Sequence, residues 1–124
     1  WCAVAAAIAA VAGHVWTFLA GFKGGKGVAT SAGVLLALSP ASFGVFVTVF
    51  LVVLLLTRYV SLGSVLGALA FSVALARFSP SGLASPSFGV GAVLALLVIV
   101  RHKDNIARLM KGEERRFSFT RGKP

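Results

Sequence analysis

The chain has 124 residues, of which 58% are hydrophobic and only 12% are charged. A soluble domain carries about a quarter charged residues, and with half that share its surface would expose large apolar patches. The charge is also unbalanced, with 12 lysines and arginines against 3 acidic residues and a net charge of +9. Because the basic residues stand in short segments between long apolar runs, the composition favours a membrane protein and argues against a nucleic-acid-binding one.

The single cysteine and the first residues bear on redox chemistry and targeting. Cys2 lies in an apolar run, and a lone cysteine forms neither an intrachain disulfide nor a zinc cluster. We interpret it as a small buried hydrophobic residue. The chain opens on Trp1, inside that run and with no charged segment before it. No signal peptide is therefore predicted, and an N-terminally incomplete sequence is expected.

Five apolar segments run along the chain, and each is predicted to form a helix. They are residues 1–12, 28–38, 43–56, 62–76 and 88–100. A membrane span takes roughly 17 to 25 residues, so the short second and fifth segments are expected to tilt, to extend into their polar flanks or to pack half-buried against neighbours. Pro40, Pro80 and Pro86 lie between segments, where the extended geometry that proline imposes on the preceding residue favours a break.

The predicted fold class is an all-α integral membrane protein, a bundle of about five hydrophobic helices. Residues 1–124 form a single membrane domain, and residues 101–124 form its short amphipathic tail. Gly63 and Gly67 stand four residues apart in the fourth segment. This spacing indicates close packing of two helix backbones in lipid and no chemistry.

The positive charges predict the topology. If segments two to five all cross the membrane, Lys23, Lys26, Arg58 and the basic residues of the tail share one side, and Arg77 is left on the other. A re-entrant second segment would split the charges between the two faces. Because lysine and arginine collect on the cytoplasmic side, the two basic loops and the tail are predicted to meet at one cytoplasmic surface.

A glycine-rich basic loop, Gly21-Phe22-Lys23-Gly24-Gly25-Lys26-Gly27, directly precedes the second segment. Glycines expose backbone N–H groups and let the chain wrap an anion, and the N-terminus of the following helix adds unpaired N–H groups. With Lys26 as a mobile cation, the loop is predicted to bind phosphate. It does not match the Walker A pattern, so nucleotide hydrolysis is not indicated. The alternative is a flexible basic loop that only marks the inner face.

A second polar cluster opens the tail. On a helix, His102 and Asn105 share a face, as do Asn105 and Arg108, while apolar residues form a separate strip that suits the headgroup layer. The cluster is a candidate site. The alternative is a solvated amphipathic anchor in which Asp104 pairs with Arg108.

Other polar residues stand at the ends of predicted helices. His14 closes the first segment, where a hydrogen bond at the membrane interface and a role in a site are both open. The pair Arg58-Tyr59, followed by Ser61 and Ser64, is typical of an interfacial anchor. The two histidines of the chain have no carboxylate or thiol partner in the sequence pattern, so no metal site is predicted.

These stretches, in this order, resemble the acyl-phosphate–glycerol-3-phosphate acyltransferase family of bacterial membranes. The matching strings are Gly13-His14, Phe22-Lys23-Gly24-Gly25-Lys26-Gly27-Val28-Ala29-Thr30, Arg58-Tyr59-Val60-Ser61-Leu62-Gly63-Ser64 and Arg101-His102…Asn105-Ile106…Arg108-Leu109…Gly112…Glu114. The resemblance extends over nearly the whole chain, and the FKGGKGVAT string is its most specific part.

The resemblance implies an enzyme of phospholipid synthesis. An acyl group would pass from acyl-phosphate to the 1-hydroxyl of glycerol 3-phosphate, giving lysophosphatidic acid and inorganic phosphate, with no metal or organic cofactor. The protein would span the bacterial inner membrane several times, with its active face and C-terminus in the cytoplasm. Its partners would be the two substrates and the lipid bilayer.

Carried over residue by residue, the resemblance implies two groups of site residues. Substrate binding would fall to Lys23, Gly24, Gly25, Lys26, Gly27, Ser61 and Ser64. His102 and Asn105 would lie near the reacting groups. The chain departs from the family at Thr17, where a proline is usual, and it has no Ser-Gly-Asn…Arg loop. The fragment alone is therefore expected to be inactive.

Some alternatives stay open at the level of sequence. The proton of the attacking hydroxyl could go to His102 or to the substrate's own phosphate, because the acyl-phosphate already carries a good leaving group. A membrane transporter of a small anion is the alternative function, although we find no internal repeat of the kind transporters show. A structural membrane protein with a lipid-binding tail is a third class.

Overall fold

The computed structural model of the chain describes residues 28–119 and six residues nearer the start. Those six are Cys2, Ala5, Ala6, Ala9, Ala10 and Gly13, and all of them are helical. The rest of the predicted first segment lies outside the described residues. The prediction that Cys2 is buried is wrong, because it is exposed. An apolar helix in a membrane protein can present such a side chain to lipid instead of to a protein core.

The regular secondary structure of the described residues is all helical, with no strand. From Val28 onwards five helices follow one another, with one 3-10 turn, Gly82–Ala84, between the third and fourth. They are α1 (Val28–Leu38), α2 (Pro40–Thr57), α3 (Val60–Phe78), α4 (Pro86–Arg101) and α5 (Lys103–Met110). The apolar segments predicted from residue 28 onwards are confirmed as helices, and the longer ones extend by one to three residues into their polar flanks.

Two of the prolines predicted to separate helices stand at the first position of a helix. Ser39 caps α2 by accepting the Ser42 N–H at 3.3 Å, and Ser85 caps α4 by accepting the Phe88 N–H at 3.0 Å. Pro40 and Pro86 follow these caps. Proline is favoured there because the first N–H groups of a helix have no acceptor within it and the ring already holds a helical φ.

α3 packs against α2 on one side and against α4 on the other. A Cβ added to Gly63 would lie 3.0 Å from the Phe50 ring, and one added to Gly67 would lie 2.9 Å from the Phe46 ring. The two glycines therefore give phenylalanine side chains of α2 their place against the α3 backbone. The packing role predicted from their spacing is confirmed.

The ends of the bundle differ in the elements that meet there. α2 and α3 are joined by Arg58-Tyr59, with Arg58 in the left-handed region at φ 62°. α4 and α5 meet at His102 with a bend of 57°. The tail returns to the α2–α3 turn, where the Phe117 N–H donates to the Arg58 carbonyl at 2.6 Å. Arg77 lies in the last turn of α3, at its other end.

Among the described helices, α2 and α3 are each long enough and apolar enough to cross a membrane, and α4 with α5 makes a third candidate as one bent span. The predicted grouping of Arg58 with the tail and away from Arg77 agrees with this arrangement. The bundle thus brings the start of α3, the α4–α5 bend and the tail together at one end.

Candidate active site at the polar end of the bundle

Two serines in the first turns of α3 are buried. Ser61 is 5% exposed and Ser64 is 1% exposed. The Ser64 hydroxyl donates to the Val60 carbonyl at 3.0 Å, the local bond that a serine makes within a helix. The Ser61 hydroxyl instead bonds outside its own helix, donating to Oε1 of Glu114 at 2.9 Å. The start of α3 is therefore bonded directly to the tail.

His102 forms the joint between α4 and α5. Its backbone N–H donates to the carbonyls of Val98 and Ile99, both at 3.0 Å, and its carbonyl accepts the Ile106 N–H at 2.8 Å. The side chain is buried at 2% exposure. Its Nδ1 lies 2.8 Å from the Val98 carbonyl oxygen. Because a carbonyl only accepts, Nδ1 carries the hydrogen, and Nε2 is the basic nitrogen of the neutral ring.

The predicted pair His102 and Asn105 lies at the start of α5. The two residues were expected to share a face of a helix, and His102 is the residue that immediately precedes α5, which carries Asn105. Both side chains are buried and line the same cavity. The three-residue spacing at the start of α5 is consistent with this shared position, since the His102 carbonyl accepts the Ile106 N–H as in a helix.

Glu114 is the centre of the hydrogen bonds at this end. Its Oε1 accepts from the Asn105 side-chain amide at 2.6 Å in addition to Ser61. Its Oε2 accepts from Nε of Arg108 at 2.8 Å. The Glu114 side chain is 7% exposed and that of Arg108 is 45% exposed. Arg108 therefore pairs with Glu114, across the turn that follows α5.

A glycine makes this turn possible. Gly112 has φ +72°, the left-handed conformation that side chains disfavour. Around it the Gly112 N–H donates to the Leu109 carbonyl at 3.1 Å and the Glu113 N–H to the Arg108 carbonyl at 2.8 Å. These bonds end α5 and reverse the chain. Glu114 is thereby returned to the face of α5 that carries Asn105.

The carboxyl group of Glu114 is held in its charged form. Burial by itself would raise its pKa, but the hydrogen bonds from Asn105, Arg108 and Ser61, together with the charge of Arg108, lower the pKa of Glu114 below its ordinary value. All three bonds stabilise the carboxylate, because each is donated to it. The bonds that fix Ser61 and Asn105 thus depend on the charge of Glu114.

A cavity of about 220 Å³ opens at this end of the bundle. It is lined by Phe50, Val60, Ser61, Ser64, His102, Asn105, Glu114 and Arg115. The four predicted site residues that the structure describes all lie on its wall. Small polar ligands suit a concave site with a few convergent polar groups and an apolar floor.

The predicted glycine-rich phosphate loop, with Lys23, Gly24, Gly25, Lys26 and Gly27, lies outside the described residues, as does His14. α1 follows this loop in the sequence, beginning at Val28. The assignment of phosphate binding to the loop stays a prediction. Within the described residues, no group of three histidine, cysteine, aspartate or glutamate side chains is placed to hold a metal ion.

Four residues that line the cavity were not predicted as site residues from the sequence: Phe50, Val60, Glu114 and Arg115. For Glu114 a signal was present, because it is the last matching residue of the strings that carry the family resemblance. For Phe50 and Arg115 the local sequence carries no such signal.

The turn between α2 and α3 also holds the tail by ring contacts. The Arg116 guanidinium lies 5.5 Å from the centre of the Tyr59 ring, and its Nε donates to the Tyr59 hydroxyl at 3.3 Å. The Arg58 guanidinium lies 5.7 Å from the centre of the Phe119 ring. The Arg58-Tyr59 pair, interpreted from sequence as an interfacial anchor, thus binds the tail.

Apolar helices that can span a membrane and a polar cavity between helix ends define an integral membrane protein with a small-molecule site at one end of its bundle. A family model described as glycerol-3-phosphate acyltransferase matches residues 1–112. The chain belongs to this glycerol-3-phosphate acyltransferase family. This assignment confirms the resemblance found in the sequence, and it does not favour the alternative of an anion transporter.

Curated relatives and solved structures agree with this assignment. A glycerol-3-phosphate acyltransferase of Salinibacter ruber is 47% identical over 116 residues, which cover 91% of this chain and 51% of the relative. One of Geobacter sulfurreducens is 44% identical over 113 residues, covering 91% of this chain and 57% of the relative. The chain spans about half the length of these relatives.

The fold matches that of PlsY (YgiH), an integral membrane glycerol 3-phosphate acyltransferase. Two crystal structures, a glycerol 3-phosphate form and a lysophosphatidic acid form, each align with a TM-score of 0.80 at 38% identity. The alignment with the glycerol 3-phosphate form covers 90% of this chain and 54% of PlsY. The bundle described here is therefore that of a membrane acyltransferase family.

Proposed function

We propose that the protein transfers an acyl group from acyl-phosphate to the 1-hydroxyl of glycerol 3-phosphate, giving lysophosphatidic acid and inorganic phosphate. The observation that carries the proposal is the convergence of Ser61, Ser64, His102 and Asn105 on one cavity in a chain of this family. In the reaction the hydroxyl oxygen forms an ester bond with the acyl carbon. The bond from that carbon to the phosphate oxygen breaks, and phosphate leaves with its electron pair.

Binding two anions side by side is the main demand of this reaction. Acyl-phosphate is an activated mixed anhydride, so positioning and charge compensation supply most of what is needed. We assign the phosphate contacts to Lys23, Gly24, Gly25, Lys26 and Gly27, supported by Ser61 and Ser64 at the start of α3.

The proton of the attacking hydroxyl needs an acceptor. In this proposal Nε2 of His102 is one candidate, because Nδ1 carries its hydrogen toward the Val98 carbonyl and leaves Nε2 as the basic atom. The phosphate of glycerol 3-phosphate is the other candidate. Asn105, held by Glu114, presents an amide that orients a substrate oxygen.

The proposal includes a single membrane domain, with residues 101–124 as its cytoplasmic tail, in the bacterial inner membrane. The grouping of Arg58 with the basic tail at one end of the bundle supports this orientation. Single cysteines placed at Lys111 and at Ser81, in a Cys2→Ala background, test it. We expect an impermeant thiol reagent added to intact cells to label the cysteine at position 81 and not the one at 111, and the reverse pattern would contradict the orientation.

The acyl-transfer proposal is tested by a direct assay. The protein is expressed from its complete coding sequence, purified in detergent and supplied with glycerol 3-phosphate and an acyl-phosphate, and lysophosphatidic acid and released phosphate are both measured. We expect equal amounts of the two products, and none when acyl-coenzyme A replaces the acyl-phosphate. A folded protein that forms no lysophosphatidic acid from acyl-phosphate would rule the proposal out.

A further inference from the structure

The tail after α5 folds back over the polar end of the bundle as a short segment without regular secondary structure, residues 114–119, which we call the tail strap. At its first residue, Glu114 is bonded to Ser61 and to Asn105. Three residues later the Phe117 N–H donates to the Arg58 carbonyl at 2.6 Å. The strap is therefore attached to α3 and α5 at its start and to the α2–α3 turn further on.

Arg115 lies between these attachments. The residue before it, Glu114, has a side chain that is 7% exposed, and the residue after it, Arg116, stacks on Tyr59. Because the backbone is held on both sides, Arg115 has little freedom to leave its position. It is exposed, and it lines the cavity together with His102 and Asn105. Arg115 thus belongs to the residues at the mouth of the site.

The charges around the cavity leave it open to an anion. The carboxylate of Glu114 is engaged by Arg108 at 2.8 Å and by two neutral donors. Arg108 therefore already compensates the negative charge of Glu114 on the cavity wall, without any contribution from Arg115. Arg115 adds a positive charge with a planar set of donors, a geometry that matches two oxygens of a phosphate group.

We propose that Arg115 is a further substrate-binding residue, which holds a phosphate group of one of the two anionic substrates at the mouth of the cavity. The inference rests on the proposed function, since it names a contact within the same site. The tail strap is the element that places it, and Glu114 and Arg116 act on Arg115 only through its position.

The kinetic test compares Arg115→Gln with Lys111→Gln in the protein expressed from its complete coding sequence. Both changes remove one positive charge from the same tail, but Lys111 does not line the cavity. We expect Arg115→Gln to raise KM for either glycerol 3-phosphate or acyl-phosphate by roughly five- to tenfold, with a smaller change in kcat, as for a charge-assisted contact at a partly exposed site. The affected substrate identifies the phosphate group that is bound. Arg115→Lys should recover part of the loss, because it keeps the charge without the planar donors.

A binding measurement separates this inference from the proposed function. Inorganic phosphate is titrated into wild-type protein and both variants by calorimetry at constant ionic strength. If the wild-type protein forms no lysophosphatidic acid, the proposed function fails, while weaker phosphate binding by Arg115→Gln alone still supports an anion site. Equal KM values and equal phosphate affinities in Arg115→Gln and Lys111→Gln would overturn the role of Arg115. A lower unfolding temperature in Arg115→Gln without a change in KM or phosphate affinity would overturn it too, because Arg115 would then only hold the strap.

Discussion

Midway along α3, Phe71 and Leu75 are each 1% exposed and pack in a cluster with apolar residues of the neighbouring helices. At the start of the same helix, Ser61 is also buried, but it is bonded to a carboxylate that comes from the tail, 53 residues further along the chain. The two regions differ in what fixes their geometry. In the interior it is the fit of rings against glycine backbones, and at the polar end it is a set of bonds to Glu114.

This difference follows from the solvent. In lipid no hydrophobic effect drives one apolar helix onto another, so close approach and dispersion contacts must hold the interior. At the end of the bundle, a buried polar group that has no hydrogen-bond partner destabilises the folded protein. Glu114 supplies them for Ser61 and Asn105 at once. The interior should therefore respond to changes of volume, and the polar end to changes of charge.

The largest effect is expected from added volume in the interior. A Cβ at Gly67 would lie 2.9 Å from the Phe46 ring and 3.2 Å from the Phe46 carbonyl oxygen, whereas one at Gly44 of α2 would meet no atom within 4 Å. Gly67→Val should lower the free energy of unfolding in detergent by about 3 kcal/mol. Gly44→Val is the matched control and should change it by less than about 1 kcal/mol. Similar losses in both would mean that the glycine contact does not hold the bundle.

Loss of charge at the polar end should cost less. Glu114→Gln keeps the shape of the side chain but removes the charge that accepts from Ser61, Asn105 and Arg108. We expect a loss of about 1–2 kcal/mol in the free energy of unfolding, discounted because Arg108 is partly exposed. Glu113→Gln removes the same charge from the adjacent exposed residue and should be close to neutral. If the two variants unfold alike, Glu114 is not the centre of this region.

The smallest effect is expected in how the unfolding temperature depends on pH. Because the pKa of Glu114 is lowered in the folded protein, its stabilising contribution is present above the unfolded pKa of about 4.3 and is lost as pH falls through the lower folded value. Unfolding temperatures measured between pH 6 and the acid limit should therefore decline less steeply for Glu114→Gln than for the wild-type protein. Glu113→Gln should follow the wild-type curve. Parallel curves for all three proteins would show that Glu114 carries no such linkage.

The sequence predicted the interior better than the polar end, and the reason is physical. The bounds of α1 coincide with those of its apolar segment, and the packing role of Gly63 and Gly67 follows from their spacing. These two features could be predicted because each depends on residues that are close together in the chain. The bonds of Glu114 depend on Gly112 reversing the chain and on Ser61 reaching across the bundle. No proline or glycine stands next to His102, so the sequence gives no local signal for the bend there. Such features come from tertiary contacts, which a single sequence does not display.

Two adjacent residues test the proposal that acyl transfer occurs at the polar cavity. His102 is buried at 2% exposure and lines the cavity, whereas Lys103 is exposed and does not. The measurement is kcat/KM for lysophosphatidic acid formation by His102→Gln and by Lys103→Gln, each expressed from the complete coding sequence and checked for folding by its unfolding temperature. We expect His102→Gln to lose at least about tenfold, and about a hundredfold or more in kcat if Nε2 takes the proton, while Lys103→Gln stays within about twofold of wild type. A His102→Gln protein that is folded and as active as Lys103→Gln would contradict the placement of the reaction in this cavity.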